Sequence, residues 1–167
     1  MAAGDGLVQG AWTESSVKDF YKATCTVTYT TEETDAYTVK TPDGLDGSKP
    51  FVLFVSAAAT PDGQALPLKL WIGNSASFAL SGQGASVVAT GGAYFKQLTD
   101  DCVLAVTTTT HAFLIDPQLP VADVVTVAAI ATGYKVRVPA SPYYAFHLDG
   151  GSTLNATSTT FTILQKA

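Results

Sequence analysis

The two histidines, His111 and His147, are the side chains of this sequence best suited to acid–base catalysis near neutral pH or to binding a transition metal. Neither has another histidine or a cysteine at the short spacings that zinc sites use. His111 follows four consecutive threonines, and His147 lies in the aromatic segment 143–148. We therefore expect both histidines to occupy polar strand positions that face water or a partner, with His111 at a strand end.

Four acidic residues, Asp100, Asp101, Asp116 and Asp123, could together hold a Ca²⁺ ion. Successive strand residues point to opposite faces, so the adjacent pair would need a turn to act together. Ser86 stands in the sequence GASVV, which lacks the closing glycine of a G-x-S-x-G nucleophile elbow. We expect solvated acidic turns, no metal, no cofactor and no enzymatic activity, while a Ser–His–Asp triad that forms only in space stays open.

Three aromatic residues, Trp71, Tyr143 and Tyr144, are better candidates for a functional surface. Trp71 alternates with the leucines of the segment 66–72 and therefore lies on the opposite face of that strand. An outward Trp or Tyr can stack on a sugar or lie in a protein interface. We expect an exposed aromatic interface at these three residues, and the alternative is a second core that covers both faces of a central strand.

Composition narrows the functional classes. The chain has 167 residues, of which only 14% are charged, and its net charge is −5. Such a chain fits one domain and lacks the basic surface that nucleic acid requires. The most apolar stretch, 119–132, is too short for a membrane span and contains Asp123. Residues 1–6 show neither the basic nor the apolar region of a secretory signal, so we expect cytoplasmic synthesis.

The hydrophobic periodicity is that of strands. In the segment 23–30, small and apolar residues alternate with four threonines, as in a half-buried strand. The segment 51–55 is apolar on both faces and predicts a central strand, and the segment 124–131 favours a strand over a helix. The segment 14–22 fits a short helix or the first strand. The other predicted strands are 66–72, 102–106, 134–138, 143–148 and 159–164. Dense turn signals between them predict an all-β domain, either a β-sandwich or a barrel-like fold.

The N-terminal residues and the two cysteines bear on how the chain is divided and cross-linked. Residues 1–12 lack periodicity and contain three glycines, so we expect a flexible N-terminal arm followed by a β-rich domain over 13–167. Cys25 and Cys102 lie in apolar, strand-like runs. Their spacing fits no zinc or redox motif, and buried free thiols are favoured over a disulfide.

The glycine-rich arm leading into SSVKDFYKATCTV (15–27), the Thr/Ala/Gly-rich β pattern and the threonine-rich last strand resemble small virion structural proteins of tailed bacteriophages. The resemblance is to capsid decoration, or cement, proteins. It implies a β-rich fold, a homotrimer on three-fold positions of the capsid, and an arm that orders on the shell and bridges capsid subunits. This chain is longer than the smallest cement proteins, so a tail, fibre or knob component is an alternative.

The functional expectation is therefore a virion structural protein that binds the outside of a phage head and stabilises it. Its expected partners are copies of itself and the major capsid protein or other virion proteins, and it would reside in the virion. Asp5, Leu7, Val8 and Trp12 are the expected arm contacts, with Trp12 as the anchor because it is the only large aromatic residue of the arm. A carbohydrate-binding β-sandwich that uses Trp71 is the other alternative.

Overall fold

A computed structural model of the chain describes residues 11–28, 37–57, 68–81, 88–97, 110–118, 127–130, 133–148 and 158–167. The described residues form strands and turns, with no helix among them. The strands are β1 (Thr13–Val17), β2 (Phe20–Thr28), β3 (Tyr37–Lys40), β4 (Phe51–Ala57), β5 (Leu68–Gly73), β6 (Ala79–Ser81), β7 (Val88–Thr90), β8 (Gly92–Gln97), β9 (Thr110–Gln118), β10 (Val127–Ile130), β11 (Gly133–Pro139), β12 (Tyr143–Leu148) and β13 (Ser158–Lys166). The predicted all-β class is confirmed.

Seven strands form the larger sheet, in the order β1-β2-β13-β4-β9-β11-β10. Neighbouring strands are antiparallel except β11 and β9, which pair in parallel. The last strand, β13, lies between β2 and β4, so the sheet brings together residues more than 100 positions apart in sequence, such as Phe161 and Cys25. β1 and β10 are the two edges of this sheet.

Four strands form the smaller sheet, in the order β3-β12-β5-β8, and β6 and β7 form a separate hairpin. The seven-stranded and the four-stranded sheets pack face to face as a β-sandwich around an apolar core. Alternate residues of each strand point into this core, which explains the period of two in the sequence. The inward residues include Ala23, Cys25, Val27, Leu53, Val55, Phe113, Ile115, Phe161 and Ile163 from the larger sheet and Val39, Leu68, Leu70, Tyr144 and Phe146 from the smaller one.

The predicted strands that fall on described residues are confirmed, whereas β3, β6, β7, β8 and β9 lie outside every predicted segment. The segment 124–131 contains strand β10, and the segment 14–22, left open between helix and strand, forms the β1–β2 hairpin. The segment 51–55 lies in β4, between β13 and β9, and is the predicted central strand. Cys25 is a buried free thiol, and burial raises its pKa. The predicted strand 102–106, which includes Cys102, lies outside the described residues.

The hairpin between β1 and β2 turns in only two residues, Lys18 and Asp19. Lys18 has a positive φ of 54°, and it is the one non-glycine residue with a positive φ in the described part of the chain. A positive φ at the first of two turn residues is the pattern of a type II′ turn, which favours glycine there. The backbone N–H of Ala167 donates a 2.9 Å hydrogen bond to the carbonyl of Asp19, so the described C-terminus holds this turn in place.

The loop between β3 and β4 closes one end of the sandwich and is held by the side chain of Gln165 on β13. Gln165 Nε2 donates to the carbonyl oxygens of Asp46, at 2.7 Å, and Lys49, at 3.2 Å. Its Oε1 accepts from the backbone N–H of Asp46 at 2.9 Å. Gln165 is buried. Its side-chain amide provides the hydrogen bonds that a neighbouring strand would provide to these backbone groups in a sheet.

Gln165→Leu should lower the free energy of unfolding by about 2 kcal/mol, because three backbone groups of the loop lose their hydrogen-bond partner. Leucine has a side chain of similar size, so the substitution leaves no large cavity. Urea denaturation followed by circular dichroism measures this change. The matched control is Gln118→Leu on the exposed end of β9, which should change stability by less than about 0.5 kcal/mol. Equal effects of the two substitutions would contradict the assigned role of Gln165.

Candidate interaction surface

Tyr144, predicted to belong to an exposed aromatic interface, lies instead in the core between the sheets and has no exposed surface. Its ring packs against Phe51 at a centroid distance of 5.6 Å. Its hydroxyl lies 2.9 Å from the carbonyl oxygens of both Gly47 and Pro139 and accepts a hydrogen bond from the N–H of Ser141 at 3.1 Å. The prediction of exposure is wrong because Tyr144 shares the inward face of β12 with Phe146. Burial raises the pKa of Tyr144 above its ordinary value.

Trp71 is also only 8% exposed, so the prediction of an outward, accessible Trp is wrong as well. It lies on the outer face of the smaller sheet, as the alternation predicted, but a second apolar cluster with Phe78 and Ala145 covers it. Gly73 and Gly92 face each other across β5 and β8, and a Cβ atom on either would collide with the ring of Phe78. These two glycines allow Phe78 to lie flat on the sheet, so the alternative of a second core is the observed one.

Tyr143 remains the accessible member of the predicted aromatic set. Its side chain is half-buried beside the second cluster, and the ammonium group of Lys40 lies 5.0 Å from the ring centroid. Lys40 also donates a 3.2 Å hydrogen bond to the carbonyl of Ala76. Tyr143 is therefore held by a cation–π contact at the rim of a covered face.

The histidines do not form a common site. His147 was expected to face water, but it is 1% exposed and lies on the outer face of β12, one strand position from Phe146. His111 lies near the start of β9, as predicted, on the core side opposite Val55. In the described ranges, no three His, Cys, Asp or Glu side chains lie close enough together to hold a metal ion.

Of the predicted arm contacts, Asp5, Leu7 and Val8 lie outside the described residues, whereas Trp12 is described. The indole N–H of Trp12 donates a 2.7 Å hydrogen bond to the carbonyl of Lys40, and its ring packs against the main core. Its side chain is thus used by the body of the molecule. The role of Trp12 as an anchor on another protein stays a prediction.

The outer face of the larger sheet carries side chains in a regular chemical pattern. Strand register places its outward side chains in three rows that run across β2, β13, β4 and β9. The hydroxyl row is Thr26, Thr160, Ser56 and Thr110, the middle row is Thr24, Thr162, Phe54 and Ala112, and the apolar row is Leu164, Val52 and Leu114. We call these eleven residues the outer face.

Charges lie at the ends of the apolar row and not within it. Lys22 follows Leu164 on one side, and Lys135 follows Leu114 on the other. Lys135 forms a 3.1 Å ion pair with Asp116. In the hydroxyl row, the side-chain oxygens of Thr26 and Thr160 lie 2.9 Å apart and share a hydrogen bond. The face therefore offers hydroxyl groups and apolar atoms with little net charge.

A groove of about 390 Å³ runs over this face. Its lining consists of Val17, Lys22, Phe54, Ser56, Thr110, Thr160, Thr162 and Leu164. Close to it, Val17 and Phe20 at the β1–β2 turn are 48% and 43% exposed and are the exposed large apolar side chains of the described structure. The groove therefore offers hydroxyl and apolar groups together with the ammonium group of Lys22.

The sequence pattern of β4 did not predict the outer face, because it indicated burial on both sides of this strand. Val52 and Phe54 make the segment 51–55 apolar on both faces, a pattern that indicates burial on both sides of a central strand. β4 is central, yet its second row of apolar residues lies on the outer face, where Phe54 is only half-buried. The alternation of Thr160, Thr162 and Leu164 along β13 was the signal that this second face is amphipathic.

Comparisons with protein-family models, with curated proteins and with solved structures found no match for this chain. In the part of the chain that the structure describes, no helix has the length and apolar character needed to cross a membrane. The fold and the outer face are therefore the observations on which a function can be argued.

Alkaline pH should destabilise the fold through Tyr144. Its pKa is raised in the folded state above the ordinary value of 10.0, so above pH 10 the phenol ionises mainly in the unfolded chain. Stability is then fully present below pH 10 and falls as the pH rises further, by up to about 1.4 kcal/mol per pH unit for one such group. Urea denaturation at pH 8 and at several values above 10 should show a shallower fall for Tyr144→Phe than for the natural chain. An equal fall would contradict this assignment.

Proposed function

We propose that the protein is a structural component of a bacteriophage virion, a decoration protein that binds the outside of the head through the outer face of its larger sheet. The observation that carries the proposal is this face, with hydroxyl and apolar rows, an open groove and charges only at its borders. Interface cores are depleted in charged residues in the same way. The resemblance of the sequence to phage cement proteins supplies the class of partner, a capsid subunit.

The use of polar side chains elsewhere supports a structural role. Gln165 holds the β3–β4 loop, and the hydroxyl of Tyr144 holds the backbone near Gly47. Thr41 Oγ1 accepts from the N–H of Tyr144 at 3.0 Å. These groups stabilise the folded chain by bonding its own backbone, whereas an active site needs polar groups that converge on a substrate.

The size of the face indicates how such a protein would bind. Neighbouring strands are about 4.8 Å apart, so four strands span about 14 Å, and three rows of alternate residues cover a similar length. A patch of this size, about 200 Å², is well below the roughly 800 Å² per partner of a stable complex. Attachment would therefore depend on additional contacts, such as those of residues 1–10, and on several linked copies acting together.

The two alternative functions are a carbohydrate-binding module and a tail, fibre or knob component. A carbohydrate-binding role depended on an accessible aromatic surface at Trp71, Tyr143 and Tyr144, and of these three residues the half-buried Tyr143 alone is accessible. A tail, fibre or knob component would use the same outer face. Electron microscopy of labelled particles separates a head location from a tail location.

Phe54→Ser should weaken attachment to the shell at least tenfold, because it removes the largest apolar side chain of the outer face. The assay is co-sedimentation of purified protein with empty shells assembled from the major capsid protein of the same genome. The matched control is Tyr143→Ser, which removes a half-buried aromatic residue on the opposite side of the sandwich and should leave attachment unchanged. Loss of attachment in the Tyr143 variant alone would contradict the proposed face.

Deletion of residues 2–10 should abolish shell attachment and leave the body folded. The deletion ends before Trp12, whose hydrogen bond to Lys40 belongs to the body. The thermal unfolding midpoint should stay within a few degrees of that of the full chain, and shell occupancy is measured by the same co-sedimentation. Full occupancy by the truncated protein would show that these residues are not needed for attachment.

A further inference from the structure

β1 is an edge of the larger sheet and lacks the features that usually protect such an edge. Among the described strands it pairs with β2 alone, and all five of its residues are exposed. Natural edge strands are guarded by prolines, lysines or bulges, because free backbone groups attract another strand. The sequence TESSV contains no proline and no lysine, and its pairing with β2 is regular.

The geometry of the turn determines which backbone groups of β1 are free. Val17 and Phe20 flank a two-residue turn, so they form a hydrogen-bonded pair. Hydrogen-bonded positions alternate along an antiparallel ladder, and therefore Ser15 also points its N–H and C=O toward β2. The N–H and C=O groups of Glu14 and Ser16 point away from the sheet, where a further strand can pair with them.

The one charged side chain on β1 is turned away from this edge. The carboxylate of Glu14 accepts a 2.9 Å hydrogen bond from the hydroxyl of Tyr21. It lies against Gly44, where a Cβ atom would collide with it. Burial and this hydrogen bond both raise the pKa of Tyr21, so its hydroxyl keeps the proton that it donates. Glu14 is thus held over the β3–β4 loop and does not block an approaching strand.

The hairpin is also suited to a second copy of itself in charge and shape. Its charged residues are Glu14, Lys18, Asp19 and Lys22, which sum to zero, whereas the whole chain carries −5. Two copies can therefore approach at this edge without a local excess of like charge. Val17, 48% exposed at one end of β1, gains a partner side chain if another β1 lies alongside.

We infer that β1 pairs with β1 of a second copy of this chain, antiparallel and about a two-fold axis at Ser15. This register matches all five residues. Glu14 forms hydrogen-bonded pairs with Ser16 of the second copy, Thr13 lies opposite Val17, and Ser15 lies opposite Ser15. No like charges face each other, and Thr–Val is a favourable cross-strand pair of β-branched residues.

The pairing would join two seven-stranded sheets into one sheet of fourteen strands. The two-fold axis passes between the two Ser15 residues, which form a non-hydrogen-bonded pair. This axis is perpendicular to the sheet, so the outer faces of both copies lie on the same side of the dimer. This inference goes beyond the proposed virion role and does not depend on it. If both hold, the dimer presents two shell-binding faces side by side and gains affinity by bivalent attachment.

A register-specific disulfide tests the inference. Cα atoms in a non-hydrogen-bonded pair lie about 4.5 Å apart, within the range that a disulfide can bridge. Ser15→Cys should therefore form a covalent dimer under mild oxidation. The matched control is Ser16→Cys, an exposed neighbour whose copy would lie beyond bridging distance, and the natural chain reports cross-linking by its own cysteines. A covalent dimer of Ser15→Cys, at least tenfold more than in either control, supports the inference, and equal cross-linking or preferential cross-linking of Ser16→Cys overturns it.

Ser16→Pro provides a second test in the chain without added cysteines. Proline removes an N–H that points away from β2, so the hairpin stays folded while the pairing of copies loses a donor on each side. Sedimentation velocity over a concentration series should show at least tenfold weaker dimerisation for Ser16→Pro than for Ser16→Ala. Equal dimerisation, or a natural chain that stays monomeric throughout, overturns the inference. Shell co-sedimentation of the same variants is scored separately, so a dimer without shell attachment contradicts the virion role alone.

Discussion

The two sheets pack against each other through alternate residues of their strands, and this packing determines which side chains are buried. Ala23, Cys25 and Val27 on β2 and Phe161 and Ile163 on β13 bury almost all of their surface against the smaller sheet. Each strand therefore has one fixed inward face, because a shift of one residue would expose its apolar side chains. The same constraint fixes the outward residues of β2, β13, β4 and β9, and so it aligns the three rows of the outer face.

The polar groups of the sandwich follow from the same packing. Where a strand ends and the chain turns over the core, buried backbone groups need partners that a sheet no longer provides. Gln165 and Thr41 supply such partners at the β3–β4 loop, and the hydroxyl of Tyr144 lies among backbone groups at the same end. The side chains best able to form hydrogen bonds thus stabilise the fold, and the outer face is left with hydroxyl and apolar groups that suit association.

Sequence periodicity predicted β2, β4, β5, β10, β11, β12 and β13, because each inward face imposes a local pattern that a single strand displays. It did not predict β3, β8 or β9. The choice between a helix and a strand for 14–22 depended on pairing with β2, which local sequence does not show. The exposure of Trp71 and Tyr144 was mispredicted for a similar reason. Alternation identifies the face of a strand, but whether Phe78 or a second sheet covers that face depends on distant segments. The outer face required the order β2-β13-β4-β9, which places the end of the chain between two early strands.

We propose the outer face of the larger sheet as the surface by which this protein joins a virion. Cryo-electron microscopy of heads decorated with the protein tests it most directly. We expect density for a β-sandwich on the outside of the shell, with Phe54 and Leu164 facing a capsid subunit. A sandwich that contacts the shell through the smaller sheet, or heads that carry no such density at saturating protein, would contradict it.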